Sequence, residues 1–201
     1  VKDKSNYTSV KAAENIDYTT GELRYRETDL HLPGVNGLDF DLILQYDHLE
    51  SAEGAPFAVP VNEHYWNTMM GSYVSEGQKR YQIGSGWSFA FPSISDPNES
   101  YYDGRFYIKL ADGSVISTRY SFDTKKYTLY GRFVEGMTFE ADGTKAPFIL
   151  TYRDGKKDTF DERGSLVKTE DRYGNSINYF YTDEGVLSKV IDSAGRVIEF
   201  E

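Results

Sequence analysis

Cysteine is absent from the 201 residues of the chain, so disulfide bonds, thiolate zinc sites and cysteine catalysis are excluded. Basic residues are few: 22 Lys and Arg stand against 32 Asp and Glu, which gives a formal net charge of −10. Nonspecific binding to nucleic acid or to anionic membranes needs clustered cations, and this balance argues against both. No apolar run approaches the length of a transmembrane helix.

Histidine is also scarce, and its three positions lack the spacing of a metal site. His31, His48 and His64 form neither a His-x-His nor a His-x-x-x-His pair. No serine lies in a Gly-x-Ser-x-Gly motif, and Gly84-Ser85-Gly86 is interpreted as a tight turn. The sequence therefore predicts no catalytic residue, no metal and no cofactor.

Two alternatives that depend on acidic residues stay open. A carboxylate pair for glycoside hydrolysis is compatible with the many Asp and Glu, although most of these stand in turns or on polar strand faces. An oxygen-rich loop is a candidate for Ca²⁺, but it lacks the ligand order of an EF-hand; its members are Asp96, Asn98, Glu99 and Asp103.

Aromatic residues and Asp-Gly pairs are what the chain has in abundance. It contains 17 Tyr and 12 Phe, and from residue 87 onward short alternating segments recur between turn signals. Asp-Gly between alternating segments is a strong hairpin signal, and it occurs at Asp112-Gly113, Asp142-Gly143 and Asp154-Gly155, among other places. The prediction is an all-β fold of antiparallel hairpins arranged as a meander.

The last fifth of the chain repeats with a period of 21 residues. The matched pairs are Gly164 with Gly185, Leu166 with Leu187, Asp171 with Asp192, and Gly174 with Gly195. Tyr179 and Tyr181 belong to an alternating segment that Asp183 and Gly185 follow as a turn. A fixed period of this size indicates that one supersecondary unit is stacked on the next. We therefore expect these residues to be structural repeat positions.

The repeat resembles the YD repeat of Rhs-family proteins. The specific segments are 181–187 (Tyr-Thr-Asp-Glu-Gly-Val-Leu), 190–196 (Val-Ile-Asp-Ser-Ala-Gly-Arg) and the earlier copy in 160–175. Segments 20–23, 28–34 and 84–89 look like the region that precedes the first repeats in such proteins. The resemblance is looser between residues 51 and 81, and Gln45 stands where family members often carry a basic residue.

The resemblance implies the N-terminal part of a hollow β-shell that encloses or presents a C-terminal toxin or effector domain. It implies a non-catalytic scaffold, bacterial and secreted or associated with the cell surface or cell wall. The partner would be the rest of the same polypeptide, and a cell-wall glycan or a neighbouring cell surface is a further candidate. Because the chain begins with Val1, we expect it to be part of a longer protein.

Two regions are expected along the chain. Residues 1–86 are a pre-repeat β region with an irregular segment at 51–84, which contains one short helix around 63–70. Residues 87–201 are antiparallel hairpins that lead into the repeats, with clear copies in 160–201.

The alternative function is a cell-surface module that binds carbohydrate or protein. Tyr65 and Trp66 lie in the irregular segment and are the candidate ligand-stacking rings. Trp87, in the strand that resembles the family, is expected to lie in the core instead.

Overall fold

The computed structural model describes residues 14–17, 22–47, 81–84, 86–94, 105–142 and 145–200. Within these residues the chain forms three antiparallel sheets and a single 3-10 turn at Val35–Gly37. The prediction of an all-β fold built from hairpins is confirmed. None of the described segments is a helix long and apolar enough to cross a membrane.

The N-terminal sheet has the strand order β1-β2-β3-β5-β4. Its strands are β1 (Glu14–Asp17), β2 (Glu22–Leu32), β3 (Phe40–Asp47), β4 (Gln82–Gly84) and β5 (Trp87–Phe89). Phe40 and Leu42 are buried while Asp41 is exposed, as the alternation along β3 predicts. The expected regional boundary after residue 86 falls between β4 and β5, which pair with each other in this sheet.

The central sheet has four strands in the order in which they occur in the chain. They are β6 (Ser93–Ile94), β7 (Arg105–Lys109), β8 (Val115–Ser121) and β9 (Lys126–Tyr130). Phe106, Ile108 and Ile116 are fully buried on one face. The central sheet therefore has one apolar face, and this face packs against the seven-stranded sheet described next.

The third sheet, called here the meander sheet, has seven strands that each pair with their neighbours in the chain. They are β10 (Thr138–Asp142), β11 (Lys145–Thr151), β12 (Lys157–Phe160), β13 (Leu166–Glu170), β14 (Ser176–Tyr181), β15 (Leu187–Ile191) and β16 (Val197–Glu199). The pairing β12–β13 and the pairing β14–β15 each contain one register shift, beside Leu166 and Leu187 respectively.

Aromatic contacts join the three sheets into one core. Phe106 of β7 lies 5.0 Å from Phe148 of β11, measured between ring centroids. Phe91 lies 5.4 Å from Tyr179 of β14, so the segment after β5 packs on the meander sheet. Rings of this size bury much apolar area each, which makes a core that is rich in Phe and Tyr sufficient for a chain without disulfides.

The predicted position of Trp87 is wrong. Its side chain is 37% exposed, and its ring contacts those of Tyr25 and Tyr46 at 5.9 and 5.3 Å. Phe89, two residues further along β5, contacts Phe200 of the meander region. Trp87 therefore shares the apolar face of β5 but lies beyond the part of that face that the meander region covers.

Several predictions fall on residues outside the described ranges. They concern the irregular segment up to residue 80 with its short helix, the rings of Tyr65 and Trp66, and the Ca²⁺ loop around residues 96–103.

Candidate functional site

Four hairpin loops carry the repeat positions, and all four have the same backbone geometry. They span residues 161–165, 171–175, 182–186 and 192–196 and are called here the repeat loops. In each, the glycine at the fourth position donates its N–H to the carbonyl of the first residue at 2.9–3.2 Å. The first residue in turn donates its N–H to the carbonyl of the fifth at 2.8–3.0 Å. This is the three-residue hairpin connection in which a type I turn ends in a left-handed glycine.

The 21-residue period equals two strands and two repeat loops. Loops alternate between the two ends of the sheet, so Gly164 and Gly185 lie at one end and Gly174 and Gly195 at the other. The four glycines have φ between +79° and +88°, where a side chain is strained. Leu166 and Leu187 occupy equivalent buried positions just after the loops at the first end.

Aspartate fastens three of the four repeat loops from within. The Asp171 carboxylate accepts the N–H groups of Tyr173 and Asn175 at 2.8 and 2.9 Å. Asp192 accepts those of Ala194 and Arg196 in the same way. Asp161 begins the first repeat loop with the same pattern. In the loop at 182–186 the first residue is Thr182, and its hydroxyl accepts the N–H of Val186. The aspartate at the first position therefore closes its own loop through these backbone hydrogen bonds.

Asp183 has a different position from the other repeat aspartates. It stands second in its loop and is exposed. Its backbone carbonyl accepts a hydrogen bond from Arg163 at 3.3 Å, which links the two repeat loops at that end of the sheet. The sequence pattern grouped Asp183 with Asp171 and Asp192 as repeat positions and did not show that Asp183 stands at a different place in its loop.

Gly164 is the repeat glycine with the closest neighbour. A Cβ atom added to it would lie 2.3 Å from the carbonyl oxygen of Ile94. The reason is that β6 runs directly over the loop: Ile94 donates its N–H to the Gly164 carbonyl at 3.0 Å, and Ser93 pairs with Ser165. The repeat is thus anchored to the central sheet at this point.

Tyr181 anchors the repeat to the N-terminal sheet. Its hydroxyl donates to the Leu166 carbonyl at 2.6 Å and accepts from the Tyr81 hydroxyl at 2.8 Å. Tyr81 accepts the N–H of Leu166 at 3.1 Å. Burial is the main reason why the pKa of Tyr181 lies well above its usual range. The network closes on itself and joins two consecutive repeat units to the chain before β4.

The last repeat loop contacts the 3-10 turn of the N-terminal sheet. Ser193 donates its hydroxyl to the Leu38 carbonyl at 2.8 Å and accepts the N–H of Val35 at 2.9 Å. Arg196 donates to the Pro33 carbonyl and to the Asp192 carboxylate, each at 2.6 Å. These hydrogen bonds, called here the clamp, hold the last repeat loop of the meander sheet against the N-terminal sheet.

Acid is expected to weaken this clamp. Burial alone would raise the pKa of the Asp192 carboxyl, but hydrogen bonds from the Arg196 N–H, the Arg196 side chain and the Ala194 N–H outweigh it and lower that pKa below its usual value. The carboxylate therefore contributes stability above the unfolded-state pKa of about 3.9 and loses it as the pH falls through the lower folded-state value. The Asp192→Asn variant should have a lower urea midpoint than the parent at pH 7, and the gap should narrow near pH 3.

The matched control is Asp171→Asn, whose loop makes the same backbone bonds but has no arginine at its fifth position. At pH 7 the urea midpoint of Asp171→Asn should fall below that of the parent by less than the midpoint of Asp192→Asn does. A midpoint gap for Asp192→Asn that stays constant from pH 7 to pH 3 would contradict the assignment.

A buried carboxylate lies in the N-terminal half of the meander sheet, on β12. Asp158 of β12 is fully buried and accepts the hydroxyls of Tyr152 and Thr169 at 2.6 and 2.7 Å. Lys156 approaches the same carboxylate at 3.7 Å from the surface. Burial chiefly, with the nearby Asp158 charge, raises the pKa of Tyr152 above its usual range. Both oxygens of Asp158 are engaged, which is the pattern of a structural polar cluster.

The meander sheet has two edge strands, β10 and β16, and β16 is the one at its C-terminal side. Arg196 and Phe200 direct backbone groups to the β15 side, so the alternation of an antiparallel ladder directs those of Val197 and Glu199 outward. No described strand pairs with that edge. Val197 is 56% exposed. The edge is therefore a template for a further strand.

Metal ligands do not gather in the described part of the chain. No group of three or more His, Asp or Glu there could hold a metal ion. The exposed His31 pairs with Asp41 at 2.6 Å across β2 and β3.

Comparison with protein-family models finds no match to this chain. No curated protein matches it at a significant level either.

Proposed function

We propose that this chain is a non-catalytic structural scaffold, a wall segment of a repeat shell to which further strands are added at β16. The shell would enclose or present an effector domain of the same polypeptide, as the likeness of the repeats to YD repeats implies. On this proposal the protein is exported and acts at or beyond the bacterial cell surface.

The observation that carries the proposal is the combination of a 21-residue unit with an unpaired edge. Each unit supplies two strands, and its loops are closed by its own Asp, Thr and Gly residues. A unit therefore needs only a paired neighbour on each side, and the stability of such arrays grows with each added unit. At β16 the same geometry ends on an edge with which no described strand pairs.

The surroundings of β16 favour growth of the same kind. Ile198 and Phe200 are half-buried and already pack against the core, and Phe200 lies 5.5 Å from Phe89 between ring centroids. A strand added in register would extend this apolar face, because side chains on one face of neighbouring strands pack in rows. The first sheet and the clamp at Arg196 then close one end of the wall.

The test is to lengthen the sheet by one unit. Glu201 stands 21 residues after Phe180, so a copy of residues 181–201 appended after Glu201 continues the period. The extended chain should have a higher urea midpoint than the parent. The amide protons of Val197 and Glu199 should become protected from hydrogen exchange, because they would then be bonded to the new strand.

The control appends the same 21 residues in shuffled order. It should leave both the midpoint and the exchange of Val197 and Glu199 at the values of the parent. If the ordered copy behaves like the shuffled one, β16 does not accept a repeat unit and the scaffold proposal fails.

A further inference from the structure

The strands of the central sheet hold positive charge on a chain that is acidic as a whole. β7, β8 and β9 contain four basic residues and no Asp or Glu; the four are Arg105, Lys109, Arg119 and Lys126. The rest of the chain holds the remaining 18 of the 22 Lys and Arg together with all 32 Asp and Glu. A local concentration of one charge attracts ligands of the opposite charge.

Strand alternation directs these positions away from the core. Phe106 and Ile108 of β7 are fully buried, so the residues on either side of them belong to the outer face of the sheet. Arg119 of β8 is paired with Arg105 of β7 on one side and with Thr128 of β9 on the other. Directly paired residues share a face, so this row lies across the outer face of the three strands.

The outer face continues on both sides of that row. Ser117 pairs with Tyr130 in the next row, and Lys126 stands two residues before Thr128 on the same side of β9. The side chains of Arg119, Lys126 and Thr128 are exposed. This surface is called here the basic face, and it is formed by Ser117, Arg119, Lys126, Thr128 and Tyr130.

No acid neutralises the two exposed cations of the basic face. Neither Arg119 nor Lys126 forms an ion pair with a carboxylate in the described part of the chain. The acids of the flanking turns do not change this balance. Asp112 accepts two hydrogen bonds within its own turn, at 2.9 and 2.6 Å, and Asp123 shares its turn with Lys125. The basic face therefore keeps its positive charge.

An arginine paired with an arginine is an unfavourable arrangement in a sheet. Arg105 and Arg119 are direct partners in the β7–β8 register, and like charges at directly opposite positions destabilise a sheet. Thr128, the third residue of the row, brings no negative charge to offset the repulsion. A bound anion beside this row would supply that charge.

The uncharged side chains of the basic face all carry hydroxyl groups. Ser117, Thr128 and Tyr130 can donate and accept hydrogen bonds, and the ring of Tyr130 is 52% exposed, so it can pack against the apolar side of a sugar ring. No exposed aliphatic side chain stands among the residues of this face. Protein interfaces have an apolar centre, and helices that bind membranes have an apolar side. Cations, hydroxyls and one ring therefore favour an acidic carbohydrate.

We propose that the basic face binds a linear polysaccharide that carries carboxylate groups. Arg119 and Lys126 donate charge-assisted hydrogen bonds to the carboxylates. Tyr130 packs against a sugar ring, and Thr128 forms hydrogen bonds with sugar hydroxyls. The basic face belongs to the central sheet and the growing edge to the meander sheet, so this proposal does not depend on the scaffold proposal.

The test is a titration of the full chain with polygalacturonate, a linear polymer of a uronic acid, followed by biolayer interferometry at low ionic strength. Arg119→Gln/Lys126→Gln should weaken binding about tenfold or more, because two charge-assisted contacts are lost. Tyr130→Ala should also weaken it. Arg119→Gln should not lower the melting temperature, because it removes the repulsion between paired arginines.

The matched control on the protein is Lys145→Gln/Lys157→Gln, which removes the same charge from exposed positions of the meander sheet. It should bind polygalacturonate like the parent. The matched control on the ligand is the methyl ester of the same polymer, which keeps the sugar backbone and lacks the charge. The ester should bind about tenfold more weakly than polygalacturonate, or less tightly still.

Unchanged binding by Arg119→Gln/Lys126→Gln, or a parent chain that does not bind polygalacturonate, would overturn the proposal. An equal loss in Lys145→Gln/Lys157→Gln would do so too, because the net charge of the chain would then decide the binding. Polyglutamate or vesicles rich in phosphatidylserine that bind as tightly as polygalacturonate would also overturn it, since the basic face would then recognise any anionic polymer or surface.

Discussion

Replacing Gly164 by alanine is expected to destabilise the fold by about 3–5 kcal/mol, the sum of a positive-φ penalty and of overpacking. The added Cβ would lie 2.3 Å from the Ile94 carbonyl oxygen, and that atom belongs to backbone. β6 would have to move away, which breaks the bond from the Ile94 N–H to the Gly164 carbonyl and opens a fully buried side chain. Urea unfolding followed by tyrosine fluorescence measures the loss.

Gly174 provides the control for this prediction. It has a φ of +88°, but an added Cβ would meet no atom within 4 Å. Gly174→Ala should therefore show the conformational penalty alone, about 1–2 kcal/mol. Equal losses in the two variants would mean that the contact with β6 contributes nothing, and the anchoring of the repeat at Gly164 would have to be abandoned.

Asp158→Ala is expected to cost about 2–4 kcal/mol, because the substitution leaves the buried hydroxyls of Tyr152 and Thr169 without their acceptor. Lys156 is less affected, since its side chain keeps contact with solvent. The destabilisation caused by Asp158→Ala should be smaller in a background where the Thr169 hydroxyl, which would lack its acceptor, has also been removed. Asp158→Ala/Thr169→Val should therefore be more stable than the sum of the two single losses predicts.

The double-mutant cycle on chemical denaturation measures this coupling. A loss below about 0.5 kcal/mol for Asp158→Ala, the size of an ordinary surface substitution, would show that the cluster is not a stabilising network. Strictly additive losses would show that Asp158 and Thr169 do not act together.

Much of the meander sheet could be predicted because its information is local. Alternation along Ile177, Tyr179 and Tyr181 sets which side chains face the core, and glycine at the fourth position of each repeat loop follows from turn chemistry. The structure places Leu166 and Leu187 at equivalent buried positions for the same reason. Both signals act over fewer than ten residues, so a sequence displays them directly.

Predictions that depended on distant partners fared less well. Trp87 has the pattern of a core residue, but its exposure depends on where the meander region ends against the N-terminal sheet. The sequence pattern predicts that Asp158 is a polar residue on a strand. In the structure it is buried and accepts the hydroxyls of Tyr152, just after β11, and Thr169, in β13. The φ of +64° at Phe133, in the connection between β9 and β10, has no signal in the sequence, because no glycine or asparagine marks that position.

The sequence by itself determined the all-β class, the hairpin loops and the 21-residue unit, since strand alternation and turn residues are properties of neighbours along the chain. Tertiary structure alone decided which repeat glycine is crowded, which aspartate carries the clamp and which aromatic rings stay exposed. Gly164 and Gly174 are alike in sequence and in φ, and only the passage of β6 over one of them makes them different. Contacts between residues that are far apart in the chain depend on how the sheets pack, and no local pattern encodes that packing.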